Sequence, residues 1–100
     1  MADTAMEYEF KTPVEYNGEK IAKLHIDFDK LTGDDALAIE NELRAQNKFV
    51  ILPSVDGEYI IRMLAKACRE PVGDDFFRQL GFADYNRLRK VGRDFLMQSE

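Results

Sequence analysis

The side chains best suited to chemistry are few: one histidine, His25, and one cysteine, Cys68. A general base needs a polar niche with an acidic partner to orient it. His25 stands in an alternating segment, Leu24-His25-Ile26-Asp27-Phe28, where it shares the polar face with Lys23 and Asp27 and has no patterned acidic orienter beyond those neighbours. Cys68 falls at helical spacing among Ile60, Met63, Leu64 and Ala67, an apolar setting that disfavours the thiolate a nucleophile requires. A small structural cysteine inside a helix is the expectation. One cysteine forms no intramolecular disulfide, and one histidine with one cysteine makes no zinc set.

Carboxylates offer a second chemistry. Asp27, Asp29, Asp34 and Asp35 lie close together, so the stretch can be tested as a calcium loop. Counted from Asp27, Leu31 falls on a ligand position, Gly33 comes one place late for the sharp turn, and Ala38 stands where the closing glutamate belongs. The pattern fails. No glycine-rich phosphate loop is present either, since Gly57 and Gly81 stand singly as turn or cap residues. The sequence therefore predicts no enzyme, no cofactor and no metal site.

What those residues do instead is punctuate elements. Thr32 can cap a helix through its hydroxyl while Asp35 reaches back to the Thr32 amide, and Asp34 and Asp35 suit the positive end of the helix dipole. Before that junction, Met6, Tyr8 and Phe10 alternate with Glu7, Glu9 and Lys11, and Val14 and Tyr16 resume the period after Pro13. Asn17-Gly18 supplies the two positive-φ positions of a tight hairpin turn. The return strand puts Leu24, Ile26 and Phe28 on one face, with Ile21 out of step, so a bulge is expected near Ala22-Lys23.

Two strands alone are marginal in water, so helices must cover them. The pattern predicts helices over about 33–46, 54–69, 74–80 and 83–97. In the first, Ala36, Ile39 and Leu43 line one side; the second is stopped by Pro71; the third is capped by Asp74 or Asp75 and ended by Gly81. In the last, Tyr85, Leu88, Val91, Gly92, Phe95 and Leu96 share one arc opposite Arg87, Arg89, Lys90 and Arg93, and Gly92 should admit another helix closely. A buried Phe95 replaced by Ala is expected to cost about 3 to 5 kcal/mol. Residues 47–53, with Phe49-Val50-Ile51-Leu52 at their centre, fit a third strand, a buried crossover or an exposed apolar loop.

One hundred residues, 45% apolar and 33% charged, suit one domain. The expected architecture is α+β: a flexible tail at 1–5, then a single domain over 6–100 in which an N-terminal β-hairpin, 6–28, packs on a small bundle of three to four helices. No apolar run reaches the 18 or so residues a membrane span needs, and the acidic beginning of the chain does not read as a secretion signal, so an intracellular protein is expected. Net charge is -5, but residues 1–60 hold 6 basic and 13 acidic side chains while residues 61–100 hold 8 basic and 6 acidic. An overall acidic chain is a poor general ligand for nucleic acid, whereas halves of -7 and +2 favour head-to-tail self-association, giving a homo-oligomer, or docking onto an acidic partner.

The hairpin with Tyr16-Asn17-Gly18, the run Leu24-His25-Ile26-Asp27-Phe28-Asp29-Lys30-Leu31-Thr32-Gly33-Asp34-Asp35, the segment Ala65-Lys66-Ala67 and the closing Asp84-Tyr85 with Val91 and Phe95-Leu96 resemble the small tail assembly chaperones of long-tailed bacteriophages and prophages. The resemblance runs from about Tyr8 to Leu96. It implies a non-enzymatic protein of the host bacterial cytoplasm, missing from the finished virion, that coats the tape measure protein and brings major tail tube subunits to it. Many relatives gain a second domain through a ribosomal frameshift. A structural tail component and a small adaptor or regulatory binding protein are the other classes to weigh. A chaperone of this kind needs exposed apolar side chains framed by charge. Phe49, Val50 and Ile51, with Arg87, Lys90 and Arg93 of the last helix, are the expected protein-binding residues; neither a nucleic acid nor a membrane is an expected partner.

Overall fold

The computed structural model describes residues 5–99; the expected tail at 1–5 lies, apart from Ala5, outside the described residues. The architecture is α+β: an N-terminal antiparallel hairpin followed by four helices. Strand β1 (Met6–Tyr16) turns at Asn17-Gly18 into strand β2 (Glu19–Ile26). Both turn residues take positive φ, 51° and 82°, the pair of left-handed positions that a two-residue hairpin turn matched to strand twist requires.

Register runs from Met6 opposite Ile26 to Glu9 opposite Lys23, breaks, and resumes with Val14 opposite Ile21. The irregularity was expected at Ala22-Lys23; its extra residues lie on the other strand, in the stretch of β1 facing Ala22. The physical reason is Pro13, which has no amide hydrogen to give the ladder. Phe10 stays buried within this stretch.

A short 3-10 turn, Phe28–Lys30, leads to α1 (Gly33–Ala45), whose capping box is formed as the sequence predicts. The Thr32 amide donates to Asp35 Oδ2 at 2.8 Å, and the Asp35 amide donates to Thr32 Oγ1 at 3.4 Å. Helix α2 (Gly57–Ala67) begins at the Asp56 cap, where the Tyr59 amide donates to Asp56 Oδ1 at 3.0 Å. Helix α3 (Asp74–Arg78) is a single short turn and a half, and α4 (Phe82–Ser99) closes the fold.

Three expectations are corrected here. The second helix stops at Ala67, not Arg69, because the chain straightens at Cys68 and pairs with the end of the hairpin: Cys68 bridges Ile26, the Asp27 amide donates to the Ala67 carbonyl at 2.9 Å, and the Arg69 amide to the His25 carbonyl at 2.9 Å. Cys68 is thus a strand-like residue, not a helical one. Gly73 caps α3, and Asp74 and Asp75 occupy its first turn. Phe95 is half-buried, stacked on Phe28 with ring centroids 4.2 Å apart, so its truncation to Ala removes less than a fully buried ring would.

Helix α2 is the axis of the core. Tyr59, Ile60, Ile61, Arg62, Met63, Leu64 and Ala67 are all buried, as expected of a helix covered on every side. One apolar cluster joins it to Phe10, Leu24 and Ile26 of the hairpin, Phe76 and Phe77 of α3 and Leu88 of α4. A second joins Tyr59 and Met63 to Ile39 and Leu43 of α1. Gly92 of α4 sits against this axis: a Cβ there would lie 2.7 Å from Ile60 Cγ2. The hairpin is fastened to the far end of the chain by two tyrosines, Tyr8 donating to Asp84 Oδ1 at 2.6 Å and Tyr16 to Asp75 Oδ1 at 2.8 Å.

Candidate protein-docking surface

Helix α1 ends because Asn47 turns left-handed, φ 58°, letting the Lys48 amide donate back to the Leu43 carbonyl at 2.9 Å. From there residues 48–52 adopt no regular structure. Of the three alternatives for this stretch, the exposed apolar loop is the one realised. Phe49 is 84% exposed and Ile51 98%, while Leu52 and Val55 are also open to solvent. Val50 differs from its neighbours: it is half-buried against the smaller core cluster. The loop's shape is held by a 3-10 turn, Pro53–Val55, with proline at its start and a buried Ser54 within it.

That turn rests on α4. Arg89 Nη2 donates to the Val55 carbonyl at 3.0 Å, and between turn and helix opens a cleft of about 350 Å³ lined by Ser54, Val55, Asn86, Arg89, Lys90 and Arg93. Three of the six lining side chains are basic and none is acidic. Lys90 Nζ lies 2.9 Å from Asp94 Oδ2 and Arg93 Nε 3.9 Å from Asp94 Oδ1, so one carboxylate is shared between two exposed cations. Two of the expected basic residues, Lys90 and Arg93, thus meet the Pro53–Val55 turn, whereas Phe49 and Val50 line a separate depression with Glu40, Leu43, Arg44 and Lys48. Arg87 does not line the cleft; its guanidinium is 3.8 Å from Asp84, the carboxylate that takes the Tyr8 hydroxyl. Arg89 is a wall residue not among the expected binding residues. Its place in the basic arc of α4 was the signal available.

A further large apolar side chain, Phe82 at the start of α4, is 82% exposed. A mostly apolar depression of about 230 Å³ is lined by residues including Ile39, Tyr59, Met63 and Phe95, and its polar members Thr32 and Asp35 bond each other in the capping box.

The two residues singled out for chemistry, His25 and Cys68, both lie where the hairpin's end meets the chain after α2. His25 has two acidic partners: Nδ1 is 2.6 Å from Glu70 Oε2 and Nε2 is 3.2 Å from Glu7 Oε1. The Glu70 hydrogen bond, with help from Glu7, raises the His25 pKa above its ordinary value, against the lowering effect of partial burial. The arrangement is a surface clamp across the hairpin and the chain after α2, with the His25 ring between the two carboxylates. Cys68 pairs with Ile26, so its thiol shares the inward face while His25 turns outward. Burial pushes the thiol up to about 12. Among the described residues no group of three or more histidine, cysteine or acidic side chains is placed to hold a metal ion, and no helix is long and apolar enough to cross a membrane.

The sequence pattern missed a charged knot at the base of the loop. Arg62, 3% exposed, donates from Nη1 to Glu58 Oε2 at 2.7 Å and from Nη2 to Gln46 Oε1 at 3.1 Å. Glu58 also takes Lys48 at 2.8 Å and Arg78, whose hydrogen bond does most to hold this carboxyl well below the usual carboxylate range despite its partial burial. Lys48 and Gln46 lie just ahead of Phe49, so the knot anchors the loop's first end as Arg89 anchors its second.

No family model, curated protein or solved structure matches the chain.

Proposed function

We propose that this protein is a non-enzymatic assembly chaperone for a long-tailed bacteriophage or prophage tail, acting in the host bacterial cytoplasm on the tape measure protein and the major tail tube subunits. The observation that carries the reading is the loop of Phe49 to Val55. Several large apolar side chains stand in solvent there, on a loop anchored at both ends whose Val55 end is bordered by the basic face of α4. Contiguous exposed apolar surface rimmed by charge is the mark of a protein-docking site. The resemblance of the hairpin, the Thr32-Asp35 helix start and the closing helix to tail assembly chaperones supplies the identity of the partner.

Co-expression with the tape measure protein of the same genome tests the reading. The expected result is a more soluble tape measure protein and a complex on gel filtration; unchanged solubility with no complex overturns it. Mass spectrometry of purified virions separates a chaperone, which is missing from them, from a structural tail component. The basic cleft also favours a second reading, a small adaptor for an acidic protein, which predicts binding with no effect on the tape measure protein.

A further inference from the structure

We infer that the cleft between the Pro53–Val55 turn and α4 binds an acidic peptide segment of a partner protein, its carboxylates taken by Lys90, Arg93 and Arg89 and its apolar side chains laid on Val55, Leu52 and Ile51. The inference rests on the reading of this surface as a protein-docking site and adds the chemistry of what docks.

Charge complementarity selects the occupant. The cleft is lined by three cations and no acid, and the single carboxylate of Asp94 beside it is shared between Lys90 and Arg93, which leaves an excess of positive charge there while the chain as a whole carries -5. A polyanion such as duplex DNA spreads its charge over many phosphates and would meet the acidic remainder of the molecule, whereas a short acidic segment engages the cleft alone. A free inorganic anion would satisfy the cations but leave Val55, 60% exposed, and Ile51, 98% exposed, uncovered. A segment carrying both carboxylates and apolar side chains covers both kinds of surface. The guanidinium of Arg93 offers paired donors that match a carboxylate. Arg89 already spends one donor on the Val55 carbonyl, so it holds the turn against the helix while its side chain lines the cleft.

The test uses the full chain and a fluorescein-labelled synthetic peptide rich in glutamate and leucine, followed by fluorescence anisotropy. Its controls are the same peptide with lysine at every glutamate, a labelled DNA duplex, and vesicles containing phosphatidylglycerol. The acidic peptide is expected to bind, more weakly as salt rises, and the lysine peptide not to bind. Lys90→Glu with Arg93→Glu, which leaves the Arg89 bond in place, should weaken binding about tenfold, since two exposed attractive pairs become repulsive. Ile51→Ser with Val55→Ser should weaken it by a comparable factor while circular dichroism stays that of the parent. Equal binding of both peptides, affinity unaffected by either pair of substitutions, or tighter binding of DNA or vesicles overturns the inference. So does a dimer by light scattering that the same substitutions dissociate, because a second copy would then own the cleft. The two proposals fail separately. A tape measure protein solubilised equally by the parent and the Lys90→Glu, Arg93→Glu variant keeps the function and removes the cleft; peptide binding without solubilisation does the reverse.

Discussion

Glu70 holds His25 at two points, its Oε1 accepting the His25 backbone amide at 2.8 Å while its Oε2 lies 2.6 Å from the ring Nδ1. One carboxylate thereby ties β2 to the chain leaving α2. Glu7, itself 3.8 Å from Lys23, adds a third charged contact from β1.

The pair makes stability depend on pH in a definite direction. The folded His25 pKa lies above its ordinary 6.5, so its contribution is fully present below pH 6.5 and is lost as pH rises through the folded value. For Glu70, burial raises the pKa, but the side-chain and backbone hydrogen bonds from His25 outweigh it and leave the value below 4.5. Its contribution is present above 4.5 and is lost as pH falls through the folded value. Thermal unfolding should therefore show the greatest benefit of the pair between pH 4.5 and 6.5 and a falling midpoint on the alkaline side. In Glu70→Gln the alkaline fall should shrink; a profile unchanged by that substitution would remove the clamp.

Gly92→Ala should destabilise the protein by about 1 to 2 kcal/mol in urea unfolding. Alanine is the better helix former by about 1 kcal/mol, but its methyl would sit 2.7 Å from Ile60 Cγ2 and 3.3 Å from Met63 Cε. Ile60 is β-branched and fully buried, so it has little room to yield. A gain in stability would mean that α2 and α4 are less tightly apposed than described.

Around Arg62 the two partners should respond unequally. Glu58→Gln takes the nearest counter-charge from a buried guanidinium, leaving Asp74 at 3.9 Å and Glu42 at 3.7 Å, and should cost about 3 kcal/mol. Arg62→Met removes the buried charge itself and leaves Glu58 with Lys48 and Arg78, so it should cost clearly less. Denaturant midpoints for the two variants check the order. Because Glu58 is held below the usual carboxylate range, its share of stability is present at neutral pH and is lost only in strong acid.

Cys68 should resist modification. Its thiol is buried and pushed up to about 12, so at pH 8 the native protein should react with iodoacetamide far more slowly than the unfolded chain. Mass spectrometry of timed aliquots measures the ratio; comparable rates would contradict the pairing of Cys68 with Ile26.

Features set by a few neighbouring residues were readable before any coordinates. The Asn17-Gly18 turn, the Thr32-Asp35 box and the close approach at Gly92 each follow from local backbone chemistry or from one helix face. The fold class followed too, because two amphipathic strands without further strand partners need helices over them. Features that join distant segments were not readable. Glu70 reaches His25 across 45 positions, and nothing in the strand alternation points to it. Arg62 gathers partners from α1, its own helix, α3 and the loop's beginning; the only sequence hint was a basic residue between Ile61 and Met63 with Glu58 one turn earlier. The turn at Pro53–Val55 that converts a basic helix face into a cleft was likewise invisible, since proline after an apolar run reads equally as the end of a strand.

The two tyrosine hydroxyls that reach Asp75 and Asp84 join the first strand made to the last segments made. Tyr8 meets a partner made 76 residues later, so while the ribosome works the hairpin emerges first, α2 and α3 can reach Leu24 and Ile26 next, and the Tyr8 bond waits for α4 to leave the exit tunnel. A product cut short before Asp84 could still lay α2 and α3 on that greasy ribbon, but it would lack Leu88 and the acceptor for Tyr8, so the latch on the first strand is the last part of the molecule to be made.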